Sequence, residues 1–197
     1  VSVLAPGYRV DWATSAGALL AVEPRLDEVA AHARELAAGY NEPRNAALMG
    51  HHEPISETEV VDHYEAMLDA GARMFLLYLD GALAGDADLR GITNGAAEFA
   101  FMIGTPTAQG KGLGTRFATM IHAFAFQVLA LERVYASVVP ANTASRRVFE
   151  KLGFTLDPSP AARAFADEDG DVVYAIERAA FEGLHVANLA EISIAMR

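Results

Sequence analysis

Two periodicities of apolar residues alternate along the chain, and the places where one gives way to the other delimit its elements. Residues 8–14, YRVDWAT, read as a first strand. In the following PRLDEVAAHARELAAGY, Leu26, Val29, Ala30, Ala33, Leu36 and Ala37 fall on one helical stripe, with Gly39 just past its end. Residues 41–54 show neither period and carry two prolines and a histidine pair, which predicts an irregular segment. A second helix starts at ISETEV, where Ser56 and Glu59 have capping-box spacing and Ile55 with Val60 that of a hydrophobic staple; Gly71 marks its end. From Arg73 the pattern is that of strands. RMFLLYL is a continuous apolar run, Asp80-Gly81 is a hairpin signal, and ALAGDADLRGI returns as a more polar strand. AAEFAFMI then turns Phe99, Phe101 and Ile103 to one face and Glu98, Ala100 and Met102 to the other, predicting one core face and one uncovered face.

Leu113, Phe117, Ile121, Phe124, Val128 and Leu131 give a long amphipathic helix, with His122 opposite the stripe and expected at the surface. A strand RVYASVV, a short helix between Asn142 and Gly153, and a strand DVVYAIER complete the pattern. With neither repeat nor linker, helices alternating with a mixed sheet predict a single α/β domain.

Composition narrows the function. A chain of 197 residues, 52% hydrophobic and 21% charged, is large enough for one good core. The absence of cysteine excludes disulfides, thiolate zinc sites and a cysteine nucleophile. His51 and His52 are adjacent, so their rings cannot converge as an i, i+4 pair would, and no metal is expected. The apolar runs fall short of the roughly 20 residues of a membrane span, and VSVLAPGYRV lacks the features of a secretory signal, so a cytoplasmic protein is expected. The formal charge of −11 argues against nucleic acid and for cationic solutes.

The chemistry centres on GTPTAQGKGLGT, a glycine-rich turn between a strand and a helix. It is not a nucleotide P-loop, because five residues rather than four separate Gly104 from Gly110-Lys111, and Gly112 stands where Ser or Thr is needed. Nor is it a dinucleotide fingerprint, since Phe117 occupies the position of the last small residue. What remains is Gln109-x-x-Gly112-x-Gly114-Thr115 opening a helix, whose successive backbone N–H groups can cradle a pyrophosphate. A turn that only turns, with Gly153 serving as an αL cap, is the structural alternative.

QGKGLGT resembles the acetyl-CoA loop of the GNAT superfamily of N-acetyltransferases, and NTASRRVFEKLGF resembles the segment that follows it there. The similarity is close from Glu98 to Phe154, the order of elements fits the family from Tyr8 to Arg178, and EKLGF leans toward the branch that includes ribosomal-protein N-terminal acetyltransferases and many small-molecule ones. The resemblance implies a single-domain fold over residues 1–178, with a mixed, mostly antiparallel sheet of about six to seven strands and about four helices. Residues 179–197 form an extension of unknown role that could serve a homodimer. It implies acetyl-CoA as donor, held by Gln109, Gly110, Lys111, Gly112, Leu113, Gly114 and Thr115, by Asn142 and Phe149, and by the backbone of Met102, Ile103 and Gly104. Lys111 is a solvated charge near the 3′-phosphate in this scheme.

Direct transfer needs a neutral amine, a donor to the developing oxyanion, and a proton for the departing thiolate. Glu98, eleven residues before Gln109, matches the family's catalytic glutamate and is the candidate base; its alternative is an edge-strand carboxylate in solvent. The backbone N–H of Met102 matches the donor to the thioester carbonyl. Phe149 stands where many members carry a tyrosine acid and cannot donate a proton, and Tyr135 and Tyr174 are strand aromatics, so the acid is unassigned. Glu42, His51, His52 and Glu53 share the segment that overlies the acceptor cleft in the family and are candidate contacts to the amine. The sequence therefore implies an N-acetyltransferase acting on a cationic small molecule or a protein N-terminus. A non-catalytic acyl-CoA sensor is the alternative, supported by Phe149.

Overall fold

The computed structural model describes residues 7–49, 53–104 and 112–197. In chain order the elements are β1 (Tyr8–Thr14), β2 (Gly17–Val22), α1 (Leu26–Tyr40), α2 (Pro43–Leu48), α3 (Glu57–Asp69), β3 (Arg73–Leu79), β4 (Ala82–Thr93) and β5 (Ala96–Ile103). There follow α4 (Leu113–Gln127), β6 (Arg133–Val138), α5 (Thr143–Leu152), β7 (Thr155–Leu156), α6 (Pro160–Arg163), β8 (Val172–Glu177), α7 (Arg178–Leu184), α8 (Val186–Glu191) and β9 (Ser193–Met196). They build one sheet in the order β7-β8-β6-β5-β4-β3-β2-β1-β9, antiparallel except for the central β5–β6 pair.

Local signals account for several of these elements. Ser56 Oγ accepts the Glu59 N–H while Glu59 accepts the Ser56 N–H at 2.7 Å, which closes the capping box of α3. Asp80 and Gly81 both have positive φ and leave Leu79 opposite Ala82, a tight hairpin. The sheet is wider than expected. β2 is a short alternation joined to β1 through Ser15 and Ala16, β7 is two residues long, and β9 comes from the extension. α2, α6, α7 and α8 span four to seven residues each, too few for a stripe to repeat. β9 pairs with β1 from Tyr8↔Met196 to Asp11↔Ser193, and Arg197 forms an ion pair with Glu28 of α1.

The two faces of the sheet are covered differently. On one, Phe75, Leu77, Leu89 and Phe99 pack against Phe117, Met120, Ile121 and Phe124 of α4 in the main core. α4 is buried nearly all round, because α5 and α7 cover its far side. His122 is therefore fully buried among Phe99, Phe126, Phe154 and Phe181, not exposed as the stripe suggested. On the other face there are two separate apolar clusters. α1 and α3 place Val29, Leu36, Val60 and Tyr64 over Met74 and Leu76 of β3. Beyond β5, Tyr135, Val173 and Ala175 pack with Ala162 and Phe165. The strip of β4 and β5 between these clusters is polar.

Candidate active site

The central opening comes from a ladder that stops early. β5 and β6 pair only at Ala96↔Arg133, Ala97↔Val134 and Glu98↔Tyr135, although β5 runs on to Ile103 and β6 to Val138. Where the ladder ends, the Ser137 backbone of β6 still lies near enough to the Glu98 carboxylate to favour its ionised form slightly. The edge of β5 from Phe99 onward thus faces a cleft into which an extended ligand can hydrogen-bond as an added strand.

At the far end of that edge the backbones approach closely. Ala84 bulges out of register between Leu77↔Gly85 and Tyr78↔Leu83, and the Gly104 N–H donates to the Ala84 carbonyl at 2.8 Å. A Cβ on Gly85 would overlap the Met102 carbonyl oxygen, so only glycine fits there. Gly39 lies inside the last turn of α1, not past its end; a glycine is needed there for close approach rather than as a cap, since a Cβ would stand 2.9 Å from Gly104 Cα. A cavity of about 260 Å³ opens at this crossing, lined by Leu36, Gly39, Glu42, Leu83, Met102 and Gly104 among others.

The polar strip supplies the titratable groups. Cross-strand register sets Arg90 opposite Glu98, Asp88 opposite Ala100 and Asp86 opposite Met102, all on the face toward α1 and α3. Arg90 Nε lies 3.3 Å from Glu98 and 3.5 Å from Asp88, and its Nη2 lies 3.4 Å from Asp167. Asp86 accepts the hydroxyls of Tyr40 at 2.5 Å and Tyr64 at 2.8 Å. Burial pushes the Glu98 carboxyl up to about 7 against the opposing pull of Arg90. It pushes Asp88 up to about 7 and Asp86 to about 6, the latter held back by the two tyrosine hydroxyls. Glu98 is therefore neither solvent-exposed nor on an uncovered face: like Met102 it is buried.

The sequence-predicted binding residues divide into three groups. Gly112 is the αL N-cap of α4 (φ 72°) with no side-chain cap, so Leu113, Gly114 and Thr115 open a 15-residue helix whose first-turn donors suit an anion. Gln109, Gly110 and Lys111 lie outside the described residues, as do His51 and His52. Asn142 caps α5 by accepting the Ser145 N–H at 3.0 Å. Phe149 is buried against Phe99, Phe101 and Phe154. Glu42 caps α2 through the Asn45 N–H and lines the cavity, whereas Glu53 is exposed. Asn45 in turn donates to the Gly39 carbonyl at 2.8 Å, tying the segment to the end of α1. Among the described residues no His, Cys, Asp and Glu cluster could hold a metal ion, and no helix is long and apolar enough to cross a membrane.

Sequence reasoning missed Asp86, Asp88, Arg90, Tyr40 and Tyr64. The signal was the alternation Asp86-x-Asp88-x-Arg90, which places three charges on one face of a single strand.

A mixed sheet whose central parallel pair parts beside a glycine-initiated helix, with a buried glutamate at the fork, defines an acyl-CoA acetyltransferase type of domain. The model of the acetyltransferase (GNAT) domain matches residues 25–155, and the chain belongs to that family. It is 35% identical over 102 residues to spermidine N(1)-acetyltransferase of Escherichia coli (strain K12), covering 50% of this chain and 54% of that one. The chain spans about half the length of the relatives it matches in sequence. Among solved structures, Mycobacterium smegmatis RimJ in complex with CoA-disulfide superposes with a TM-score of 0.67 at 20% identity, covering 94% of this chain and 96% of RimJ. An aminoglycoside acetyltransferase, AAC(6')-Ib in complex with coenzyme A, gives 0.67 at 18% identity, covering 84% and 98%. These two share the fold, which by itself does not choose between their acceptors.

Proposed function

We propose that the chain is an N-acetyltransferase that moves an acetyl group from acetyl-CoA to a primary amine by direct attack within a ternary complex. The observation that carries this reading is Glu98, buried at the point where β5 and β6 part, with its carboxylate beside Arg90. A primary amine of pKa near 10 is about 99.9% protonated at pH 7. Glu98 takes its proton directly or through water, the nitrogen lone pair attacks the thioester carbonyl, and the Met102 N–H, assigned by position in the family, donates to the oxyanion. The carbon–sulfur bond then breaks, and the second proton still on the nitrogen goes to the departing thiolate or to water, leaving the amide. The backbone around Ile103 and Gly104 holds the pantetheine arm and the turn from Gln109 to Thr115 the pyrophosphate; Asn142 and Phe149 border the donor.

The acidic strip supports a cationic acceptor, either a small polyamine-like or aminoglycoside-like molecule or a protein N-terminus. Glu42, His51, His52 and Glu53 contact it in this reading. Thiol release from acetyl-CoA against a panel of amines tests the proposal: amine-dependent release supports it, and tight acetyl-CoA binding without transfer to any amine replaces it with the sensor reading. The sensor is favoured by one observation, the hydroxyl-free, buried Phe149. We place the protein in the cytoplasm as a homodimer, with exposed Leu184, Val186 and Met196 of the extension at the contact. Sedimentation of the full chain as a monomer would remove the dimer.

A further inference from the structure

Arg90 is divided. Its guanidinium reaches Glu98 at 3.3 Å, Asp88 at 3.5 Å and Asp167 at 3.4 Å, and these contacts are long for charge-assisted hydrogen bonds. Asp88 Oδ1 and Arg90 Nε are both shut off from water and make no hydrogen bond. An arginine serving Glu98 alone would hold it in a tight bidentate pair and leave it a weak base. We infer that Asp88 is a positioning residue for Glu98: by competing for the arginine the two share, it keeps Glu98 basic enough to take the acceptor's proton. The inference rests on the reading of Glu98 as the base.

The surroundings of the pair bear on how it titrates. Asp86 lies two residues from Asp88 on the same face of β4, capped by Tyr40 from α1 and Tyr64 from α3. Asp167 approaches from the segment before β8, with its side chain about half exposed and its backbone N–H donating to Ser137 Oγ of β6. Opposite Asp88 is Ala100, whose methyl group offers no polar partner. Asp88 thus opposes Arg90 electrostatically at Glu98: ionised, it favours the protonated form of Glu98, as Asp167 also does. Removing its charge releases Arg90 to Glu98 and removes a like charge at the same time.

The test is the pH dependence of kcat/KM for acetyl transfer in the wild type, Asp88→Asn, Asp167→Asn and Glu98→Gln. Asp88→Asn is expected to move the acid limb to lower pH by on the order of one pH unit and to lower the plateau several-fold, because a less basic carboxylate is a poorer proton acceptor. Asp167→Asn moves the limb the same way; its side chain is about half exposed, so it serves as the second variant if Asp88→Asn proves unstable. A limb that stays in place in Asp88→Asn, or in Asp167→Asn where Asp88→Asn does not fold, or that moves to higher pH in either, overturns the inference. If Glu98→Gln keeps the wild-type rate at every pH, the base reading itself falls, which is a separate outcome read from a separate variant.

Discussion

Replacing Glu98 by Gln keeps the size of the side chain and its place in the polar strip while removing its ability to take a proton. With the Glu98 carboxyl pushed up to about 7, about half of the wild-type molecules carry the ionised base at pH 7. Wild-type kcat/KM should therefore rise about tenfold per pH unit below 7 and bend near that value. In Glu98→Gln the bend disappears and the rate at pH 7 falls by about 10²- to 10⁴-fold, the usual worth of a general base. The gap should narrow as pH approaches 10, because about half of an amine of pKa near 10 is then already neutral and needs no base. Thiol release at saturating acetyl-CoA from pH 6 to 10 measures the profile, and calorimetry of acetyl-CoA binding checks that the donor site survives. A variant that binds the donor and acetylates amines at the wild-type rate throughout refutes the assignment; a uniform loss with the bend still near 7 would give the titration to another group, with Asp88 the first suspect.

Two further outcomes follow from the packing. Gly85→Ala forces a Cβ against the Met102 carbonyl and must push β4 and β5 apart; we expect a loss of about 3 kcal/mol or more, read as a Tm lower by roughly 6–12 °C, together with loss of transfer. His122 is buried neutral and burial pushes it down to about 4. A histidine depressed in the fold contributes stability that is lost as pH falls from its unfolded value near 6.5 through about 4, so about 3 kcal/mol should disappear over that window. In urea unfolding at pH 7 and pH 4.5, His122→Phe should lose less stability than the wild type on acidification, and equal losses would mean that His122 is not the group responsible.

The fold was legible where an element was long enough to repeat its pattern. The capping box at Ser56 and Glu59, the Asp80-Gly81 hairpin and the Asn142 cap are all as read, since each is a contact among neighbours in sequence. GALLAV was missed because six residues beside a stronger strand carry little periodicity, and β9 because its partner, β1, lies at the other end of the chain. His122 was misplaced for a related reason: helical periodicity reports one covered face, whereas the second cover comes from Phe154 and Phe181, supplied much later in the sequence. At the site, Glu98 was singled out because its place eleven residues before Gln109 resembles that of the family's glutamate. Its partners were not, since Arg90 meets Glu98 only across the β4–β5 register, and that register shifts between Arg90 and the turn at Asn94-Gly95.

The polar strip is costly to the fold. Asp86, Asp88 and Glu98 are all pushed toward the neutral form, so their ionisation works against stability as pH rises from about 4 through 7. Apolar residues in the same positions would let the cluster around Tyr64 and Met74 merge with that around Tyr135 and Phe165 into one continuous core. The two clusters instead stay apart, and the strip between them adjoins the place where β5 and β6 diverge. A cationic acceptor docking there would supply the counter-charge that Arg90 alone cannot. Its ammonium would be drawn in by the ionised carboxylates and would surrender its proton to one of them as the thioester is attacked. The same excess of carboxylates that weakens the folded state near neutral pH thus gives a reason for the acceptor to bind in its charged form and to react in its neutral one.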